Sequence, residues 1–205
     1  MTKIKFCGFT SANLALDAAL LGVDAIGLNF VEQSPRYVTL DQAQSIVDVL
    51  PPFVTKVGLF VNPTVDFVNQ VLSSVALNCL QFHGDEDPVF CNQFQKPYIK
   101  VFRVRPNDDL KVLMEPYKMA CGFLLDAYND KSYGGTGESF DWSFYPHDIE
   151  KPIILAGGLT IDNVEQAILS CRPYAVDVSS GIESHLGTKC KNKMQSFIER
   201  VKNCA

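Results

Sequence analysis

The sequence predicts an α/β fold of parallel strands joined by crossover helices, and three observations carry that prediction. Short apolar or alternating runs recur eight times along 205 residues. Helix-period stretches fall between them, and no linker or low-complexity segment interrupts the repetition. Parallel neighbours joined by crossovers leave two architectures, an open doubly wound sheet and a closed (β/α)8 TIM barrel. Eight units fit a single barrel of minimal length spanning residues 1–205 as one domain, near the bottom of that fold's range of roughly 200 to over 400 residues.

The strands are expected, in order, at Ile4–Phe6, Ala25–Phe30, Lys56–Val61, Cys79–Phe82, Ile99–Val104, Gly122–Asp126, Ile153–Ala156 and Ala175–Val178. Each is short and rich in Val, Ile, Leu or Phe, as strands buried on both faces are. Between them, Ala43, Ile46, Val47 and Leu50 fall at i, i+3, i+4 and i+7, the spacing of one helix face. Val164, Ala167, Ile168 and Cys171 repeat it, and Met194, Phe197, Ile198 and Val201 do so near the C-terminus. Thr39 with Gln42 has capping-box spacing, and Asp87-Pro88 reads as N-cap then first helical residue. Thr160 is expected to mark a further helix start. The sixth helix is weak, because Asp141–Tyr145 hardly gives a full one.

Composition narrows the function classes. Hydrophobic residues make up 47% and charged residues 20%, as in ordinary globular proteins. Eighteen basic against twenty-three acidic residues give a net charge of −5, so no nucleic acid and no membrane surface is expected as a partner, since both attract a basic field. Ala18–Val23 is far too short an apolar stretch to span a bilayer. Seven scattered cysteines contain no Cys-x-x-Cys pair, and three scattered histidines lack ligand spacing, so neither a disulfide framework nor a metal site is expected. These features read as a cytoplasmic protein.

In a barrel, chemistry gathers where strands end and βα-loops begin. That rule selects Cys7 after the first strand, Arg36 after the second, His83 after the fourth and Asp126 at the end of the sixth. Cys7 precedes a turn and a helix, a place where a thiolate is stabilised and the pKa falls toward neutrality. Lys5 shares its strand parity, and an ammonium would favour the thiolate further. Such a thiol serves as nucleophile or base; a buried structural cysteine fits the position as well. Asp126 ends the apolar run Phe123-Leu124-Leu125 and is either functional or a loop cap. Apolar surroundings would raise its pKa and suit a general acid.

Arg36, in Ser34-Pro35-Arg36-Tyr37, either forks a substrate carboxylate or is a solvated loop arginine. For His83 a structural hydrogen bond is the better reading, and His147 and His185 read as surface residues. Gly157-Gly158 after the seventh strand and Ser179-Ser180-Gly181 after the eighth occupy adjacent loops. There, flexible backbone and the amide groups of a helix start favour an anion such as phosphate over plain turn chemistry. The one long βα-loop, residues 127–141, contains Tyr133-Gly134-Gly135-Thr136-Gly137 and reads as an active-site flap or a mobile connection.

Taken in order, seven motifs span the whole chain: Lys5-Phe6-Cys7-Gly8-Phe9-Thr10, Ser34-Pro35-Arg36-Tyr37-Val38, Leu80-Gln81-Phe82-His83-Gly84-Asp85, Leu124-Leu125-Asp126, Gly134-Gly135-Thr136-Gly137 through Phe140-Asp141-Trp142, Leu155-Ala156-Gly157-Gly158-Leu159 and Val176-Asp177-Val178-Ser179-Ser180-Gly181-Ile182-Glu183. The set resembles the phosphoribosylanthranilate isomerase family. The resemblance implies a (β/α)8 barrel in tryptophan biosynthesis and a cofactor-free Amadori rearrangement of a small-molecule substrate, N-(5-phosphoribosyl)anthranilate, by a monomer or homodimer. It further implies Cys7 as general base, Asp126 as general acid, Arg36 on the anthranilate carboxylate, and Gly157, Gly158, Ser180 and Gly181 around the phosphate. His83 and Asp177 are carried as substrate contacts.

The chain departs from the family at four places. Ser11 stands where arginine is common, and Glu138 where a basic residue is frequent. Leu186 and Cys190 replace a proline and an aspartate, which weakens the expected start of the last helix. Two rival readings are weaker. A ribulose-phosphate epimerase would need paired metal-binding histidines at strand ends, and a non-catalytic phospholigand-binding barrel would not need Cys7 and Asp126.

Overall fold

Alternate residues of a strand face opposite ways, and here both faces find cover. Ile4, Phe6, Ile26, Leu28, Leu80, Phe82, Leu125 and Val176 turn outward into one large apolar cluster under the helices. Val57, Cys79, Ile99, Val101, Leu124, Ile154, Ala156 and Ala175 form a second, interior cluster. Two buried faces per strand are met by a sheet closed on itself and wrapped by helices. A computed structural model, which describes residues 1–105, 108–127 and 142–204, shows that arrangement.

All eight expected strands form: β1 Lys3–Cys7, β2 Ala25–Asn29, β3 Thr55–Phe60, β4 Cys79–Phe82, β5 Tyr98–Val104, β6 Gly122–Ala127, β7 Ile153–Leu155 and β8 Ala175–Val178. They pair in sequence order, all parallel, and β8 returns to β1 to close the barrel. Register at the closure sets Lys5 opposite Asp177, and on the other side of β1 Cys7 stands opposite Gly27.

The helices are α1 Ala12–Leu21, α2 Leu40–Val49, α3 Val65–Ser74, α4 Pro88–Asn92, α5 Leu110–Met114, α6 Val164–Cys171 and α7 Lys191–Asn203. The Thr39–Gln42 capping box is present, and Asp87 caps α4 with Pro88 in its first turn. Thr160 does not cap. It lies in a turn where Asn163 Oδ1 accepts from its N–H, and α6 starts at Val164 behind Asn163, whose side chain makes no cap bond. The weak sixth helix is a single 3-10 turn, Trp142–Phe144. A hairpin of β9 Glu183–His185 and β10 Thr188–Lys189 follows β8, an element the strand–helix pattern did not announce.

Cover is uneven around the barrel. α1, α2 and α3 have ten residues each and α7 thirteen, whereas α4 and α5 have five each. On the thin side the wall is closed by Phe82, Phe90, Phe94 and Tyr98, packed ring against ring. A buried ion pair joins it: Lys100 Nζ donates to Glu86 Oε2 at 3.0 Å and to the Gly84 carbonyl at 2.7 Å. Glu86 in turn accepts from the amides of Asn62 and Gly84, so the loop carrying His83 is fixed by a charge pair instead of a long helix.

Two departures in sequence have local structural counterparts. Ser11 caps α1, its hydroxyl 3.5 Å from the Leu14 amide. Cys190 is the N-cap of α7 and makes no side-chain cap bond, as the missing aspartate implies. Glu138, the Gly134–Gly137 run and the flap expected over 127–141 lie outside the described residues, apart from Ala127 at the end of β6.

Candidate active site

The inward residues at the C-terminal ends of the strands line one cavity of about 500 Å³. Below it the interior cluster fills the barrel with apolar side chains; the polar groups form a layer above. Cys7, Arg36, His83, Asp126, Asp177, Gly157, Gly158 and Ser180 all line the cavity. Eight of the nine residues selected from sequence are therefore brought together. Gly181 does not line it. A Cβ there would collide with the Leu159 carbonyl, so its lack of a side chain lets the loops after β7 and β8 approach.

Cys7 is buried, 6% exposed. Its neighbour Lys5 is paired with Asp177, Nζ to Oδ1 at 2.9 Å. The expected lowering of the Cys7 pKa does not hold. Burial pushes the thiol above its ordinary value, and the Lys5 ammonium opposes this only in part, since the Asp177 carboxylate works against it. A helix contribution is also missing, because α1 begins at Ala12, five residues further on. Lys5 itself is drawn down by burial and up by Asp177 and Cys7, and the net shift is upward. It is a firmly charged ammonium.

Asp126 is not in the purely apolar setting its sequence neighbours suggested. Oδ1 accepts from the Ala127 amide at 2.9 Å, and Oδ2 lies 3.1 Å from His83 Nε2. His83 Nδ1 is in turn 3.4 Å from Gln81 Nε2. Gln81, His83 and Asp126 thus make a buried polar row across β4 and β6.

Arg36 is neither solvated nor free. Its Nε and Nη2 donate to the two oxygens of Glu183 at 2.7 and 2.9 Å, and a Cβ on Gly8 would sit 2.5 Å from its Cδ. Glu183 also accepts from Lys189 Nζ at 2.7 Å and from the Gly187 amide at 3.2 Å. Burial pushes the Glu183 carboxyl up, but hydrogen bonds from Arg36 and Lys189 outweigh it and hold the pKa at about 2. The β9–β10 hairpin therefore orients the guanidinium by one edge and leaves Nη1 for another acceptor.

Gly157 and Gly158 have φ of +81° and +64°, a backbone that side-chain-bearing residues rarely adopt. Residues 159–163 separate them from α6, so any amides offered to an anion belong to a turn and not to a helix start. Sequence reasoning missed Gln81, Glu183, Lys189 and Gly27. Gln81 shares parity with His83, the signal that placed Lys5 beside Cys7. A Cβ on Gly27 would lie 2.7 Å from Cys7 Sγ and 3.2 Å from Lys5 Nζ, a proximity that no local motif encodes.

Comparison with known proteins agrees with the layout. Residues 4–200 match the family model described as N-(5'phosphoribosyl)anthranilate (PRA) isomerase. The N-(5'-phosphoribosyl)anthranilate isomerase of Azotobacter vinelandii is 54% identical over 201 residues, 98% of each chain. The crystal structure of the Thermotoga maritima phosphoribosyl anthranilate isomerase superposes with a TM-score of 0.91 at 36% identity, over 99% of this chain and 100% of that one. A phosphoribosyl anthranilate isomerase crystallised with reduced 1-(o-carboxyphenylamino)-1-deoxyribulose 5-phosphate gives a TM-score of 0.88 at 36% identity, with the same coverage of both chains. With a single barrel matched from end to end and its polar layer at the expected strand ends, the chain belongs to the phosphoribosylanthranilate isomerase family.

Proposed function

We propose that this protein converts N-(5-phosphoribosyl)anthranilate into 1-(2-carboxyphenylamino)-1-deoxyribulose 5-phosphate, the isomerisation step of tryptophan biosynthesis, with no cofactor. The observation that carries the reading is the convergence of Cys7 and Asp126, from β1 and β6, on one cavity. The same cavity also offers an arginine and two glycine loops.

Asp126 delivers a proton to the furanose ring oxygen. The C1′–O bond breaks, the ring opens, and the nitrogen lone pair forms the C1′=N bond of a Schiff base. The Cys7 thiolate then removes the C2′ proton, and the electron pair moves to give an enolamine, which tautomerises to the ketone. Each step needs only a positioned proton donor or acceptor. His83, 3.1 Å from Asp126, is placed to return a proton to it. Arg36 meets the anthranilate carboxylate through the edge that Glu183 leaves open, and Gly157, Gly158 and Ser180 meet the phosphate. Gly181 serves by bringing those two loops together, and Asp177 by holding Lys5.

The test is the fluorescence decrease as purified protein consumes phosphoribosylanthranilate. Steady consumption is expected. Absence of turnover by folded protein would leave a barrel that binds a phosphorylated ligand without transforming it.

A further inference from the structure

One polar atom of the cavity has no partner and no part in the proton transfers. Gln81 lies on β4 two residues before His83, so both side chains point into the barrel. It is fully buried, at 0% exposure, and it lines the cavity. Its Nε2 faces His83 Nδ1, but its Oε1 has no hydrogen-bond partner. Among the described residues, only Trp142 Nε1 shares that condition. Native proteins seldom leave a buried amide oxygen unpaired, and one at a site calls for a ligand or a water.

The orientation of the amide follows from the row it heads. Asp126 already accepts from Ala127, and His83 Nε2 is its second neighbour. Gln81 heads that row with its Nε2 toward His83 Nδ1 at 3.4 Å, which turns its Oε1 away from His83.

We propose that Gln81 is a substrate-binding residue whose Oε1 accepts a hydrogen bond from a hydroxyl or N–H of the sugar-amine portion of the substrate. This rests on the isomerase reading above. The chemistry selects that portion: a phosphate and a carboxylate at neutral pH are acceptors and cannot satisfy Oε1, whereas ribose hydroxyls and the anilino N–H are donors. Placement agrees. The arginine belongs to the loop after β2 and the glycines to the loops after β7 and β8, while β4 stands across the closed barrel from β8. The same contact holds the amide against rotation.

Calorimetric titration of the full-length protein tests this with three probes: the reduced aminodeoxyribulose phosphate, ribose 5-phosphate and inorganic phosphate. Gln81→Met keeps the shape of the side chain and removes the acceptor. It is expected to weaken the reduced analogue roughly tenfold or more, the effect of losing one buried hydrogen bond, and to leave inorganic phosphate unchanged. Equal weakening of ribose 5-phosphate assigns the donor to a hydroxyl, and an effect on the analogue alone assigns it to the N–H. Unchanged analogue binding, or an equal loss for inorganic phosphate, overturns the proposal. Gln81→Leu repeats the measurement should the methionine variant fold poorly. Wild-type protein that binds no analogue overturns the isomerase reading and this contact together. Wild-type turnover with unaltered binding by the variants overturns the contact alone.

Discussion

Lys5 and Asp177 stand opposite each other on neighbouring strands at the seam where the barrel closes, their charged atoms 2.9 Å apart and both nearly buried. Cys7 lies one inward position along from Lys5. The thiol therefore senses an ammonium whose field is already partly cancelled. Replacing Lys5 by methionine removes the only contribution from that pair that favours a thiolate. Lys5→Met is expected to slow alkylation of Cys7 by iodoacetamide at neutral pH and to move the midpoint of its rate profile upward. An unmoved midpoint would show that Lys5 is scaffold only.

A base acts when deprotonated, and burial has raised the Cys7 thiol above its ordinary value. The rate constant kcat/KM should therefore climb with pH through the neutral and mildly alkaline range, where the thiolate fraction grows about tenfold per unit. A plateau by pH 7 would argue against Cys7 as the base.

Cys7→Ser and Asp126→Asn are each expected to lower turnover by at least about a hundredfold, the lower range for general acid–base groups. Their circular dichroism should stay that of the wild type. Near-normal turnover in either variant would remove the role proposed for that residue.

Arg36 is held by Glu183 along one edge, so Glu183→Gln should loosen the guanidinium without touching the proton-transferring groups. The expected result is a raised KM for phosphoribosylanthranilate with kcat largely kept, and Arg36→Ala should give a larger effect of the same kind. A fall in kcat at constant KM would place Glu183 elsewhere in the reaction.

The depressed Glu183 carboxyl also couples to stability. A folded-state pKa of about 2 against an ordinary 4.5 means stabilisation that is fully present above pH 4.5. It is lost as pH falls through the folded value, and it is worth on the order of 3 kcal/mol from that shift. Acid titration of unfolding should show a steeper loss in wild type than in Glu183→Gln between about pH 4.5 and 2. Parallel curves would mean that the Arg36–Glu183–Lys189 cluster contributes little net stability.

The period-2 and period-3.6 patterns announced all eight strands and the helices α2, α6 and α7 but not α1 or α3, because a strand buried on both faces must be apolar throughout. The strand-end rule then selected Cys7, Arg36, His83 and Asp126 before any resemblance was considered. Partnerships stayed out of reach. Nothing near Arg36 announces that Glu183, 147 positions later, will grip it, and Cys7 looked acidic only because the burial and the Asp177 charge acting on it come from the closed barrel. Gln81 was hidden for a different reason. A glutamine in an apolar run is noticed only after its oxygen is found alone.

The uneven wall has a consequence for how the protein breathes. Gln81, His83 and Asp126 hang from β4 and β6, whose neighbouring α4 and α5 are five residues each. Cys7 and Arg36 belong to the β1 and β2 side, under α1, α2 and α7. Local opening follows the amount of apolar cover, so amide hydrogen exchange should run faster through residues 83–105 and 108–120 than through residues 1–50. The proton-donating side of the cavity is then the part that unfolds first, and the side holding the thiol is the frame on which it re-forms.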